Sequence, residues 1–426
     1  MLFSIIIGVA SALLFLFQKL KLKIKFLFTG GKIHTENGGK KAPYLIFAES
    51  RRYWNLFKPI CDEFERRGVD VIYWTQSEDD PVFSESYAHV KPEFIGEGNK
   101  AFTRLNFASA RIILATTPNL DVYQWKRSKN VDCYVHIYHA CGKHILYRMF
   151  ALDFFDAVLL TGELQKPYIR ELERMRDLPE KELVKVGSPI LDAMAARLEA
   201  EKSAEDKAEK KDPDDVNVLL APSWGASSLL MKYKDELIDA LIETGFSVTI
   251  RPHPQSYTSD KEELDRLMAK YPETDRLKWN RDNNNFDVLK RSDVMISDFS
   301  GVILDFTLIF DKPVLYNAGE LDTSIYDAAW FDKEEAVELY KKLGLEITES
   351  DFPSLKEKIA GALTDKSLSD ARREVRDLAW TNRGNAASAV VDYLTDKYNR
   401  LEAAASAKKG GAGKPEKKIK KHVKGN

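Results

Sequence analysis

Three short segments of this chain concentrate residues able to do chemistry. Ser297-Asp298-Phe299-Ser300-Gly301 combines hydroxyls, a carboxylate and a glycine. Arg251-Pro252-His253-Pro254 fixes a guanidinium and an imidazole between prolines, and Tyr138-His139-Ala140-Cys141-Gly142 carries a second imidazole. An arginine offers paired donors to phosphate oxygens. An imidazole can take a proton, or donate to an oxygen that gains charge as a bond breaks. Hydroxyls and a glycine at a helix start make a place for a phosphate, because the first N–H groups of a helix are unpaired and carry partial positive charge. Ser300 and the Gly301 amide are the candidate donors there. Plain helix capping by Ser300 or Asp298 accounts for the same residues without a ligand.

Asp305 follows one turn and a little beyond Ser300, among Leu304, Phe306, Leu308 and Ile309. A carboxylate with such neighbours needs a partner: it either faces a cleft and bonds the hydroxyls of a donor, or lies on a solvent stripe. Ala221-Pro222-Ser223-Trp224-Gly225 could offer Ser223 to a phosphate and Trp224 to a base or ribose, and a buried structural tryptophan fits equally well. Cys133, His136, His139, Cys141 and His144 are five possible zinc ligands within twelve residues. Strand alternation puts Cys133 and His139 on one face and His136 on the other, so the ligands diverge. No metal is assigned, and His136 reads as a core residue.

Ligands of open α/β sheets bind beyond the carboxyl ends of the strands, so these segments need strands ending just before them. The sequence supplies such strands. Tyr44–Ala48 is a short apolar run, Trp54–Arg67 carries helical spacing, Gly68 fits a helix end, and Val69–Trp74 is β-rich. The alternation continues through Arg111–Ala115, Val131–Tyr138, a helix-like Ile145–Ala151, Ala157–Thr161, Leu164–Arg176 and Leu183–Val186. It restarts with Val216–Leu220, helix Leu229–Thr244, strand Phe246–Ile250, strand Asp293–Ile296, helix Val302–Phe310 and strand Val314–Tyr316. Strands alternating with helices imply parallel sheets covered on both faces. The expected fold class is α/β, with two Rossmann-like domains facing a central cleft.

At 426 residues the chain is long enough for two cores. With 44% hydrophobic and 31% charged residues it is too rich in core formers for a disordered protein. The net charge of -2 hides a segregation: residues 408–426 hold eight Lys and one Glu, or +7, leaving -9 on the rest. An acidic body excludes an enzyme whose whole surface is built for nucleic acid, and no nucleic-acid partner is assigned. Three cysteines, none in a C-x-x-C pair, fit a reducing compartment.

The run Leu2–Phe17 is nearly all apolar and is followed by Lys19, Lys21, Lys23 and Lys25. This reads as an N-terminal hydrophobic membrane segment. A signal peptide would carry its charge before the run and a small-residue cleavage site after it. The positive-inside rule then places the catalytic domains on the cytoplasmic side of the cell membrane. An anionic membrane surface is the expected partner of this segment and of the Lys-rich tail. The full division is 1–28 membrane anchor, 29–41 linker, 42–200 N-terminal acceptor domain, 201–215 charged linker, 216–385 C-terminal donor domain, 386–405 terminal helix and 406–426 disordered tail.

Two Rossmann-like halves with an imidazole in the first, and an Arg-Pro-His and a Ser-Asp-aromatic-Ser segment in the second, resemble the GT-B architecture. More narrowly, the chain resembles the CDP-glycerol glycerophosphotransferase family of teichoic-acid and capsule synthesis. The resemblance runs from about Tyr44 to Leu394 and is most specific over Asp293–Tyr316. It implies transfer of a polyol phosphate, glycerol phosphate first, from a CDP-activated donor to a hydroxyl of a cell-surface glycan or lipid-linked acceptor, with release of CMP. The CDP-polyol is a substrate, and no cofactor is implied. By resemblance His139 is the base and His253 assists the leaving group. Donor binding falls to Arg251, Ser223, Trp224, Ser297, Asp298, Ser300 and Gly301, with Asp305 on the polyol hydroxyls. Ala140 and Gly301 depart from the family's glycine and second serine, and Ile190 stands where many relatives carry a basic residue. Competing readings are a GT-B glycosyltransferase using a nucleotide sugar and a non-catalytic membrane-attached scaffold.

Overall fold

The computed structural model describes residues 41–142, 147–204, 215–282, 284–319, 324, 326–330 and 333–411. Two sheets organise them. The first contains β1 (Ala42–Ala48), β2 (Val71–Thr75), β3 (Val90–Phe94), β4 (Ala110–Ala115), β5 (Val131–Ile137), β6 (Ala157–Leu160) and β7 (Glu182–Lys185), in the order β3-β2-β1-β4-β5-β6-β7. All neighbours are parallel, and Leu45 of β1 stands between Ile72 and Ile113. The helix Trp54–Arg67 buries Leu56, Phe57, Ile60 and Phe64 against Tyr44 and Ile46 of β1. It ends at Gly68, whose φ of 66° needs no Cβ and whose N–H reaches the Glu65 and Phe64 carbonyls.

The second sheet contains β8 (Asn217–Leu220), β9 (Ser247–Ile250), β10 (Leu277–Trp279), β11 (Val294–Ser297), β12 (Val314–Tyr316) and β13 (Gly344–Glu346), in the order β10-β9-β8-β11-β12-β13. It too is parallel throughout. The winding direction reverses between β1 and β4 in one sheet and between β8 and β11 in the other. Such reversals open the crevices where ligands of this fold class bind.

The chain crosses back from the second unit to the first, where the Thr381 N–H donates to the Thr161 carbonyl at 2.9 Å. A Cβ on Gly162 would overlap the Leu378 carbonyl and one on Gly187 that of Thr381, so the crossing is close enough to require both glycines. The helix Ala386–Gly411 then places Val390, Val391 and Leu394 in the same core as Phe57, and the Tyr398 ring 5.4 Å from that of Tyr44. A buried ion cluster also joins the halves: Arg176 donates to Asp153 at 2.7 Å and to Asp327 at 2.6 Å.

Several expectations change. Residues 147–151 of the expected helix Ile145–Ala151 are not helical, and 143–146 lie outside the described residues. Their backbone is committed elsewhere: Arg148 bridges Tyr326, the Tyr147 carbonyl accepts from Asp327 N–H, and Phe150 N–H donates to the Asp327 carboxylate. The edge strand β3 is hidden in the sequence by exposed Lys91 and Pro92, residues that suit an unpaired edge. The charged stretch 205–214 and the tail 412–426 lie outside the described residues.

The membrane expectations are corrected. Among the described residues no helix is long and apolar enough to cross a membrane. A span needs about 20 apolar residues, whereas the strongly apolar helix Val302–Phe310 has 9. The run Leu2–Phe17 lies outside the described residues. The two-domain α/β arrangement stands on the described residues, which contain no membrane-spanning helix. The anionic-membrane partner and the cell-membrane localisation that depended on it are withdrawn.

Candidate active site

The second-domain half is built on the loops after β8, β9 and β11. Ser297 and Asp298, at the end of β11, are buried beneath it. Ser297 Oγ donates to the Ala221 carbonyl at 2.6 Å. The Asp298 carboxylate accepts from Ser223 N–H and from Leu229 N–H, each at 2.8 Å. One side chain thus ties the β8 loop to the start of the helix Leu229–Glu243. Burial raises the Asp298 carboxyl to about 6, with the two backbone N–H groups acting against the rise.

Above this floor the helix Val302–Phe310 begins at Gly301, with Ser300 8% exposed before it. Gly301 is exposed, and a Cβ there would stand 3.6 Å from that of Ala140 in the other domain. The loop carrying His139 therefore lies against the start of this helix. Asp305 accepts from Asn285 Nδ2 at 3.2 Å. Its half-buried carboxyl is raised to about 7 by burial, partly offset by that bond, and its charge is felt by the buried Cys141 of the first domain.

After β9, Arg251 donates through its guanidinium to Asn280 Oδ1, and its N–H to the Leu220 carbonyl. Burial holds the guanidinium below its usual pKa. Beside it opens a cavity of about 460 Å³ lined by Met268, Glu273, Trp279, Asn280, Arg281 and Asp282. His253 is half-buried, and its Nδ1 accepts from Gln255 N–H at 3.1 Å. The neutral ring therefore carries its proton on Nε2. The exposed Trp224 ring lies 6.5 Å from the His253 ring.

The first-domain half is built on the loops after β1, β4 and β5. His139 is half-buried, with Nδ1 3.0 Å from Thr116 Oγ1 and the Tyr53 ring 5.2 Å from the imidazole. Burial, then Arg52, then His253 hold His139 down at about 4. Burial, then Arg52, then Arg251 do the same to His253, also to about 4. Each imidazole is thus neutral at pH 7. His136, by contrast, is wholly buried, between the rings of Tyr138, Tyr147 and Phe155.

The structure brings His139, His253, Ser300, Gly301 and Asp305 to the two walls of one cleft, with Trp224 beside His253, Arg251 at the end of β9 and Ser223 on the loop after β8. Glu49, Arg52, Tyr53 and Thr116 were not singled out from the sequence. Glu49 and Arg52 stand one and four residues beyond β1, much as His253 stands three beyond β9, so the strand-end rule points to them as well. Burial raises the Glu49 carboxyl, with Thr117 and Arg52 acting against it.

A family model described as CDP-Glycerol:Poly(glycerophosphate) glycerophosphotransferase matches residues 163–395, a span that contains the whole second-domain half of the site. A teichoic acid glycerol-phosphate primase of Bacillus spizizenii is 23% identical over 254 residues, covering 58% of this chain and 59% of the primase. The chain therefore spans little more than half the length of that relative. The structure of the wall teichoic acid polymerase TagF is similar with a TM-score of 0.58 at 13% identity, over 90% of this chain and 98% of that one. A UDP-GlcNAc 2-epimerase of Methanocaldococcus jannaschii has a TM-score of 0.53 at 15% identity, over 83% of this chain and 99% of its own. These structural likenesses carry the GT-B-like fold. With a family match over more than half of its length, the chain belongs to the CDP-glycerol:poly(glycerophosphate) glycerophosphotransferase family.

Proposed function

We propose that the chain transfers a polyol phosphate, glycerol phosphate first, from a CDP-activated donor to a hydroxyl of a glycan or lipid-linked acceptor. The observation that carries this reading is the pair His139 and His253. They come from different domains, are close enough for each imidazole to lie within the charge field of the cleft, and are both neutral at pH 7. A neutral imidazole is what a base must be before it accepts a proton.

In this scheme the acceptor hydroxyl attacks the phosphorus that bears the polyol. The new P–O bond forms as the bond to the CMP oxygen breaks. The hydroxyl proton passes to His139 Nε2 and then to solvent. For Nε2 to be the acceptor, the Nδ1–H must donate to Thr116 Oγ1, and the 3.0 Å separation permits it. His253 Nε2–H donates a hydrogen bond to the departing CMP oxygen, and anionic phosphates nearby strengthen its hold on that proton.

Arg251, Ser300, the Gly301 amide and the helix start face the diphosphate. Ser223 and Trp224 border the nucleotide, and Asp305 takes the polyol hydroxyls. Ser297 and Asp298 we read as the scaffold of the donor loop, because their polar atoms are committed to backbone groups. The expected result is CMP release from CDP-glycerol by the wild type, with His139→Ala and His253→Ala each slower by ~100- to 10,000-fold. Their circular dichroism should be unchanged. Wild-type turnover in both variants would remove the scheme.

A further inference from the structure

We infer that Arg52 is a further catalytic residue, a first-domain guanidinium that neutralises the phosphoryl group as it passes between His139 and His253. The inference rests on the transfer reaction proposed above. Arg52 belongs to the turn Arg51–Tyr53, immediately beyond β1, the strand beside the switch point of the first sheet. Ser50 Oγ accepts from Arg52 N–H at 3.4 Å and holds the turn. The guanidinium carbon lies 5.5 Å from the centre of the Tyr53 ring, and that ring lies 5.2 Å from His139. The Tyr53 ring thus lies near both the Arg52 guanidinium and the base.

Its neighbour provides a contrast. Arg51 is paired with Asp79, whereas among the described residues Arg52 has no carboxylate within ion-pair distance. Glu49, two residues before the pair, feels the Arg52 charge without forming an ion pair with it. An exposed cation that no described carboxylate pairs, lying beside a cleft, can meet an anion.

Electrostatics agree with that placement. After burial, Arg52 weighs most on both imidazoles, although they belong to different domains. Among the described residues, His253 also acts on His139, and the Tyr53 and Tyr147 rings and the Thr116 hydroxyl lie beside it. Arg251 and Asp260 likewise act on His253. A charge felt on both sides stands at the gap through which the phosphoryl group moves.

The bound donor already has Arg251 and a helix start on its own side. Arg52 lies on the side where the acceptor oxygen enters, so its contact strengthens as the acceptor O–P bond forms and the P–O bond to CMP breaks. The hydroxyl proton goes to His139. An interaction gained on the way to the transition state lowers kcat when it is lost, with less effect on donor KM.

The test follows CMP release from CDP-glycerol by the full chain, with a native membrane extract as acceptor. Arg52→Ala should lower kcat by ~100- to 1000-fold, the effect of losing one fixed donor to developing charge. Donor KM should change by no more than a few-fold, and Arg52→Lys should recover part of the rate. Arg51→Ala should stay within about threefold of wild type, since that side chain pairs outside the cleft. The acidic limb of kcat/KM should move to higher pH in Arg52→Ala, because a cation that keeps both imidazoles unprotonated is gone; an idle surface arginine would not move it. Arg52→Gln, which retains a stem against Tyr53, should repeat both results if the alanine variant folds poorly. Wild-type turnover with an unchanged rate and an unmoved limb in Arg52→Gln overturns this inference alone. A wild type that releases no CMP from any CDP-polyol overturns the reaction beneath it as well.

Discussion

Thr116 Oγ1 and His139 Nδ1 stand 3.0 Å apart at the switch point of the first sheet, joining the end of β4 to the loop after β5. Thr116 is fully buried, so its hydroxyl is a fixed partner for the ring. If Nδ1–H donates to it, the neutral imidazole presents Nε2 as its acceptor.

Thr116→Val keeps the shape and removes that partner. kcat should fall about fivefold, the equivalent of ~1 kcal/mol for one hydrogen bond, while Thr116→Ser stays near wild type. Steady-state CMP release checks this, and equal kcat for valine and threonine would show that the hydroxyl does not orient the base.

Asp298 is expected to matter for stability before chemistry. Its two oxygens each accept a buried backbone N–H, so Asp298→Ala leaves two donors unsatisfied. Urea unfolding should show a loss of ~2 to 4 kcal/mol, at ~1 to 3 kcal/mol per orphaned group with partial relaxation. An alanine variant as stable as wild type would contradict the scaffold role.

Asp305 sets a pH dependence of stability. Its folded pKa, about 7, lies above the unfolded value of 3.8, so its contribution is fully present below about 4 and is lost as pH rises through about 7. His139 and His253 act the other way: their depressed values favour the fold above about 6.5, and that contribution is lost as pH falls through about 4. The difference between Asp305→Asn and wild type isolates the carboxylate. It should grow in favour of asparagine from pH 4 to pH 7 and level off above, reaching on the order of 1 to 3 kcal/mol. A difference that does not vary with pH would mean that Asp305 ionises as freely as in the unfolded chain.

Much of this site is legible in the sequence because chemistry at a strand end follows an apolar run that marks the strand. Val131–Tyr138 leads to His139, Phe246–Ile250 to Arg251 and His253, and Asp293–Ile296 to Ser300 and Gly301. What spacing does not carry is pairing over distance. Nothing local says that Arg51 meets Asp79, 28 residues on, and leaves Arg52 at the cleft. Nor does it say that the Asp298 carboxylate is taken by amides 75 and 69 residues away. In Ser297-Asp298-Phe299-Ser300-Gly301, the residues that look alike as ligands divide into a floor, Ser297 and Asp298, committed to backbone groups, and a helix start at Ser300 and the exposed Gly301.

Fold was readable to a similar depth. Central strands are apolar on both faces and stand out, whereas β3 carries Lys91, Pro92 and Glu93 and β13 is only 3 residues long. The helix expected over Ile145–Ala151 shows the limit of periodicity. Asp327, far along the chain, supplies the hydrogen bonds that keep residues 147–150 extended and turned.

The most direct test is the identity of the nucleotide released when the chain is given CDP-glycerol and a native acceptor, measured together with the mass of the product. Attack at the phosphorus between the two imidazoles predicts CMP and an acceptor heavier by one glycerol phosphate. Release of UDP or GDP from nucleotide sugars, with CDP-glycerol left intact, would contradict it by placing the reaction at a sugar carbon instead.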